Sequence, residues 1–351
     1  MHWPQPVDTW TAPTRELRHT SLPPAVQLVD VTKSYPGRRD RGMPPAAVDR
    51  ISLTVHSGEV FGLLGPNGAG KSTTIRMIAT LLEPTSGRLR VCGYDTRRQE
   101  REVRRMLGVA LGGERSVYWK LTARQNLQYF AALHGLSRSR SARRVDEVLR
   151  QLDIADRADD HVEDYSTGMR QRLVVARALL HRPRVVLLDE PSSGLDPQAT
   201  RSLREHILQL RATGHTILLT THDMTEADAL CDRLAFIDHG RVVAEGTPAG
   251  LKAQLGATQV VRAALRSATP DALGWVAADL GDSASWAVAD GGRSATLTLW
   301  SGPGTDPVPV LISVAVRRGV EVVRVENEPV SLNDVFLALV GRRLDADQAE
   351  R

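Results

Sequence analysis

The sequence predicts an α/β protein built on a largely parallel sheet and followed by a smaller α+β domain. Three observations carry that prediction. Short apolar runs, VFGLL at 60–64, RVVLLDEP at 184–191 and HTILLTTH at 215–222, alternate with segments of helical spacing, as strands covered by helices do. A glycine-rich stretch, GPNGAGKS at 65–72, leads from the first run into a helix. After Gly250 the texture changes to strand, helix, two strands, helix, strand, helix.

Taken in order, residues 1–25 are rich in Pro and Thr, lack periodicity and are expected to be disordered. VQLVDVTKSY, from Val26, alternates as a strand, and PGRRDRGMPPA is a basic, Pro-rich loop. AVDRISLTVHSGEVFGLLG reads as two strands around a Ser-Gly turn, STTIRMIATLL as a helix, and EPTSGRLRVCGYD as turn, strand and turn. Residues from about 98 to 182 read as mostly helical, with 3–4 spacing in LTARQNLQYFAALHGL and SARRVDEVLRQLDI. DRLAFIDHGRVVAEG closes the first domain, 26–250, as a hairpin.

The second domain, 251–342, is read as TQVVRAAL (strand), TPDALGWVAADLG (helix), SWAVADGGRSATLTLW (hairpin), DPVPVLISVAVRRG (helix), EVVRVENE (strand) and SLNDVFLALVGR (helix). That order is the ferredoxin-like split βαβ unit plus a helix. Residues 343–351 read as a loose tail.

Composition narrows the class. The 351 residues suit about two domains. Lys occurs only at 33, 71, 120 and 252, the net charge is +4, and Arg is interspersed with Asp and Glu as on a solvated surface. No basic stripe with interleaved aromatics points to nucleic acid, and none is expected as a partner. Cys92 and Cys231 stand alone, so neither a disulfide framework nor a zinc site is indicated and a reducing cytosol fits. The N-terminal stretch has no apolar h-region, and no run reaches the ~18 apolar residues of a membrane span. Such a chain can still dock onto one that spans.

Two motifs carry chemistry. GPNGAGKS fits G-x-x-x-x-G-K-[ST] between a strand and a helix, the P-loop context. In the loop Gly65, Pro66, Asn67, Gly68, Ala69 and Gly70 the glycines let the chain curl so that backbone N–H groups converge on phosphate oxygens, and the helix N-terminus at Lys71, Ser72 and Thr73 adds partial positive charge. Lys71 is expected to reach the β- and γ-phosphates and Ser72 to ligate Mg²⁺. VVLLDE ends a buried strand on two carboxylates, Asp189 and Glu190. Unpaired buried charge is unfavourable, so Asp189 is expected to hold the metal and Glu190 to orient and deprotonate a water.

Together with SSGLD at 192–196 and TTH at 220–222, these motifs resemble the nucleotide-binding subunit of ABC transporters over residues 26–250. The resemblance implies a P-loop NTPase with parallel-sheet core, antiparallel β subdomain and helical subdomain. It implies that Tyr35, in the strand before the P-loop, stacks on adenine. Ser193-Gly194-Leu195-Asp196 matches a D-loop, with Asp196 also suited to cap the next helix. His222 matches the switch histidine at the γ-phosphate. The family's loop glutamine is missing: Gly112 or Gly113 takes its place, Glu114 is the nearest polar residue, and Tyr118 and Trp119 follow. YSTGM at 165–169 stands where the family has Leu-Ser-Gly-Gly-Gln, keeping Ser166 and Gly168 and replacing the rest with Thr167 and Met169.

The resemblance further implies ATP and Mg²⁺ as ligands and a head-to-tail homodimer in which Ser166 of one copy completes the other's site. The tail PVSLNDVFLALVGR resembles that of daunorubicin-resistance-type exporters, which are ATPases at the cytoplasmic face serving a separate polytopic permease. A non-transport ABC ATPase of DNA repair or translation, a catalytically weak regulatory module and an importer are the alternatives.

Overall fold

The computed structural model describes residues 23–35, 46–111, 116–267, 276, 279, 284–289, 294–302, 304 and 306–339. They divide into two compact units, one running to Pro248 and one from Ala249.

The first unit contains two sheets. β1 (Val26–Lys33), β2 (Val48–Val55), β4 (Ser86–Val91) and β5 (Tyr94–Asp95) form an antiparallel sheet in the order β2-β1-β4-β5. β3 (Val60–Leu64), β6 (Leu107–Ala110), β7 (Val185–Asp189), β8 (Thr216–Thr221), β9 (Arg233–Asp238) and β10 (Arg241–Gly246) form the other, in the order β10-β9-β3-β8-β7-β6. Only its edge strand β10 is antiparallel, joined to β9 by a His239-Gly240 turn with positive φ at both residues. β3 and β8 are buried along their whole length, which is why neither alternates in sequence. One core holds both sheets and α1 (Lys71–Ile78): Ile75, Met77 and Ile78 belong to a cluster that includes Leu28, Ile51 and Leu89 of the first sheet and Phe61, Leu187 and Leu218 of the second.

Helices α2 (Glu100–Met106), α3 (Ala123–Leu133), α4 (Arg138–Gln151) and α5 (Thr167–Leu179) form the helical region. α3 starts on a Thr122–Gln125 capping box. Buried Asn126 fixes the turn before it: its Oδ1 accepts from Tyr118 N at 2.7 Å, and its Nδ2 donates to the Tyr118 and Thr122 carbonyls at 2.9 and 3.0 Å. One expectation changes here. The stretch read as mostly helical contains β6, which pairs in parallel with β7 from Leu107↔Val185 to Ala110↔Leu188. A four-residue apolar run does not reveal its type by periodicity, and pairing decides it. Gly108 is required there, because a Cβ would lie 2.3 Å from the Ala178 carbonyl oxygen of α5.

α6 (Pro197–Ala212) and α7 (Met224–Leu230) flank β8 in sequence, and α8 (Pro248–Ala253) crosses the division between units. In the second unit β11 (Gln259–Arg266), β12 (Ala284–Ala289), β13 (Ser294–Ser301) and β14 (Glu321–Pro329) form an antiparallel sheet in the order β12-β13-β11-β14. Second-third-first-fourth is the order of a split βαβ sheet. α9 (Val308–Arg317) packs Leu311, Val314 and Ala315 with Val261, Ala263, Leu297 and Leu299. A last helix covers 332–339. The helix read at 269–281 lies mostly outside the described residues, as do residues 1–22 and the tail beyond 339.

Candidate nucleotide site

β3, β8 and β7 are neighbours, and their C-terminal ends deliver the glycine-rich loop, Thr220–His222 and Asp189–Glu190 to one place. Ligands of open α/β sheets bind at such strand ends. The loop closes tightly. A Cβ on Gly65 would lie 2.1 Å from the Ile237 carbonyl oxygen, and one on Gly70 (φ 109°) would lie 2.5 Å from that of Ala47. Pro66, Asn67 and Gly68 are exposed at the tip, while Ala69 is buried.

Lys71 is 4% exposed, and its ammonium donates to the carbonyls of Gly65 (2.6 Å) and Pro66 (3.0 Å). Glu190 Oε1 lies 3.8 Å away. Burial pushes the Lys71 pKa down, against the attraction of Glu190 and Asp189. Next to it, Ser72 Oγ donates to Asp189 Oδ1 at 3.1 Å, and Thr220 Oγ1 donates to the same oxygen at 2.6 Å. Thr220 also accepts from the Glu190 backbone N–H, through its carbonyl (3.1 Å) and its hydroxyl (3.0 Å). These bonds hold Glu190 at a positive φ of 47°, a conformation uncommon for a non-glycine residue. His222 Nδ1 is 3.4 Å from Glu190 Oε2.

Thr220 was not singled out from the sequence. Its sequence signal was weak, since it is one of three threonines in the buried strand β8. The Ser72 hydroxyl and Asp189 carboxylate are hard oxygen donors 3.1 Å apart, a pair that fits Mg²⁺. Among the described residues no group of three or more His, Cys, Asp or Glu is placed to hold a metal.

The other predicted residues are placed differently. Ser166 is the exposed N-cap of α5, accepting from Met169 N at 3.2 Å. Buried Gly168 lies against α6, where a Cβ would meet that of Ala199 at 2.8 Å. Tyr165 is buried and donates to the Arg157 carbonyl at 2.6 Å. Asp196 caps α6, accepting from Ala199 N at 2.8 Å, and Pro197 follows in the first turn. Tyr35 lies two residues beyond the end of β1, not within the strand before the P-loop. Ser34 N is taken there by Thr85 Oγ1 instead of a ladder partner. The Tyr35 ring is exposed and faces the Lys33 ammonium at 5.5 Å. Tyr118 contacts Tyr129 and Phe130, and Trp119 lies 5.3 Å from the Arg170 guanidinium. Gly112, Gly113 and Glu114 fall outside the described residues.

A phosphate loop, a carboxylate pair and a histidine at the ends of adjacent parallel strands define a P-loop ATPase, and the family description "ABC transporter" matches residues 48–193. The chain belongs to the ABC transporter ATP-binding proteins and is an ATPase of that class. It is 42% identical over 330 residues to the daunorubicin resistance ATP-binding protein DrrA2 of Streptomyces coeruleorubidus, covering 93% of this chain and 98% of that one. With the Nod factor export ATP-binding protein I of Cupriavidus metallidurans it shares 39% identity over 307 residues, 85% of this chain and 93% of the other. Among solved structures it resembles a dimeric ATP-binding cassette in a post-hydrolysis state bound to ADP and Pi (TM-score 0.56, 26% identity, 63% of this chain and 98% of that one).

Proposed function

We propose that this chain energises an exporter. It binds ATP with Mg²⁺ on the phosphate loop, hydrolyses it within a head-to-tail homodimer, and drives a separate polytopic permease from the cytoplasmic face of the membrane. The observation that carries this is the convergence of Lys71, Ser72, Asp189, Glu190 and His222 on the ends of three adjacent strands. No helix among the described residues is long and apolar enough to cross a membrane, so transport requires a spanning partner.

Lys71 offers its ammonium to phosphate oxygens, which are better acceptors than the loop carbonyls it now holds. The loop N–H groups and the start of α1 take the remaining phosphate charge, and Tyr35 offers an open ring for adenine. Mg²⁺ held by Ser72 and Asp189 would neutralise charge between the β- and γ-phosphates. Glu190 accepts a proton from water, the water oxygen bonds to the γ-phosphorus, and the bond from that phosphorus to the bridging oxygen breaks, leaving ADP and phosphate. His222 holds the second Glu190 oxygen and is itself half exposed, open to the γ-phosphate.

Ser166 and Gly168 serve the second copy. The hydroxyl and the first N–H groups of the 13-residue α5 form an anion site, and the exposed Ser166 side chain engages only its own helix. Asp196 stands at the start of α6, whose Ala199 abuts Gly168, and would lie beside the same interface. The dimeric, ADP-bound relative structure supports this arrangement. The cargo is a drug-like compound, as the names of the resistance relatives suggest; the Nod factor relative favours a second cargo class.

Glu190→Gln tests the chemistry. Steady-state turnover should fall by roughly 10²-fold or more, while ATP binding persists and the chain accumulates as an ATP-bound dimer by light scattering. Unchanged turnover would remove Glu190 from the reaction.

A further inference from the structure

A cleft of about 1140 Å³ in the first unit lies between α2, the end of α3, α4 and residues 180–182, and shares no lining residue with the nucleotide site. Seven arginines line it against two glutamates, Glu100 and Glu147, an excess of five positive charges in a chain whose whole net charge is +4. Three of the arginines serve the fold. Arg104 pairs with Glu100 and donates to Thr80 Oγ1; Arg144 holds the Leu179 and Leu180 carbonyls and Glu147; Arg182 pairs with Glu147 at 2.7 Å. Both glutamates are thereby occupied. The side chains of Arg101, Arg105, Arg140 and Arg143 are exposed and have no hydrogen bond or ion pair among the described residues. α4 also sets its charges against its own dipole: its first turn carries Arg138 and Arg140 and no acid, at the helix end that repels cations. The fold gains nothing from these four unpaired charges, and gathered around one open concavity they attract an anionic partner.

Exposed apolar side chains beside the arginines say what kind of anion. Leu133, the last residue of α3, lines the cleft and is 66% exposed. Leu81 is 61% exposed on an adjoining groove of about 280 Å³, which shares Arg104, His134 and His181 with the cleft. A soluble phosphate or a nucleic-acid backbone would satisfy the arginines and leave both leucines in water. No Phe, Tyr or Trp lines the cleft to stack bases. An anionic bilayer surface meets both needs. Its phosphates accept from guanidinium groups, and its headgroup–acyl boundary takes up leucine side chains. Arginine stems can lie along that apolar boundary while their charged heads stay at the phosphates.

We propose that this face of the helical region binds anionic phospholipid directly. Arg101, Arg105, Arg140 and Arg143 engage headgroup phosphates, and Leu133 and Leu81 meet the boundary with the acyl chains. The contact is made by this chain's own residues and needs no second protein. It rests on the membrane-face position inferred above, and it adds the lipid as a ligand that favours membranes of negative surface charge.

The test sediments the full chain, without permease, with vesicles of phosphatidylcholine alone or mixed equally with phosphatidylglycerol. The wild-type chain should partition onto the mixed vesicles and not onto phosphatidylcholine. Raising the salt from about 0.1 M to about 1 M should release it, because screening shortens the reach of the surface charge. Arg140→Gln with Arg143→Gln should lower the partition coefficient by roughly 10-fold or more, and Leu133→Ser by several-fold, while ATP binding stays as in the wild type. Equal partition of the double variant overturns the proposal. So does a wild-type chain that binds neither vesicle, or binds only when the permease is reconstituted in it. Displacement by inorganic phosphate at constant ionic strength overturns it too, since that makes the cleft a soluble-anion site. No ATP turnover enters this assay, so its failure leaves the ATPase reading standing, and an unchanged turnover in Glu190→Gln leaves the lipid contact standing.

Discussion

The phosphate loop and the segment at Ser166 are both polar helix starts, yet they are built differently. Around the loop, side chains from three strands and α1 engage one another: Ser72 and Thr220 share one Asp189 oxygen, and Glu190 stands between Lys71 and His222. At Ser166 the hydroxyl touches only the helix it caps, and Gly168 only allows α6 to approach. The first arrangement is preorganised within one chain; the second is open for a ligand arriving from outside. That difference supports the proposal that two copies share each ATP. It also separates mutations by outcome: changes at the loop should disable each chain alone, and changes at Ser166 should disable only the pair.

The largest effect is expected from Lys71→Ala. Loss of the ammonium should lower kcat/KM for ATP by about 10³-fold or more, because the charge aimed at the phosphates disappears. The fold should lose little, since the cation removed is one whose burial already works against its charged form. Isolated-chain ATP binding and a thermal melt check both parts; a variant that binds ATP as well as wild type would break the comparison on the loop side.

Ser166→Arg should come next. It places a long cation where a partner's phosphate must approach through a helix start, and it removes the cap. ATP-driven dimerisation and turnover should be lost, while ATP binding to the monomer remains. Loss of the cap should destabilise the chain by about 1 kcal/mol, a few degrees in Tm. An unfolded variant would show that Ser166 is chiefly a structural cap, and an intact dimer would show that the second half lies elsewhere.

Thr220→Val sharpens the loop side. The substitution keeps the shape of β8 but takes a donor from Asp189 and an acceptor from the Glu190 N–H. Turnover should drop roughly 10–100-fold with ATP binding nearly unchanged, the usual size for losing a group that orients a ligand. Equal loss of binding and turnover would mean that Thr220 supports the strand and not the carboxylates.

Legibility in the sequence followed the same division. The loop and the Asp-Glu strand could be read because a phosphate site needs fixed residue types at fixed spacing, and GPNGAGKS and VVLLDE carry both. The apolar runs within β3, β7 and β8 announced a covered parallel sheet. β6 could not be read, because four apolar residues have no period to measure and their strand character comes from pairing with β7, 78 positions later at each rung from Leu107↔Val185 onward. Thr220 was hidden for a related reason: its importance lies in facing Asp189 across neighbouring strands. The arginine cleft was hidden most completely. Its cations come from α2, α4 and the 180–182 segment, and in sequence they read as arginines scattered among acids on a solvated surface.

The smallest effect concerns the histidines beside that cleft, and it tests whether the cleft's charge is arginine alone. His134 and His181 stack at 4.1 Å and 12°. Burial, with His134 and Arg144 nearby, pushes the His181 pKa down to about 4, although its Nε2 sits 2.8 Å from the Leu107 carbonyl. Burial, then Arg177, lowers that of His134. Both rings are therefore neutral near pH 7 in the fold. A pKa depressed in the fold means that the unfolded chain binds the proton first, so stability falls as pH drops from the unfolded His value of about 6.5 toward 4. One unit below 6.5 the His181 contribution should be about 1 kcal/mol. Denaturant titrations at pH 7.5 and 5.5 should show wild type losing more than His181→Gln by that amount. Equal losses would place a protonated, charged His181 in the folded cleft and return part of its positive potential to histidine.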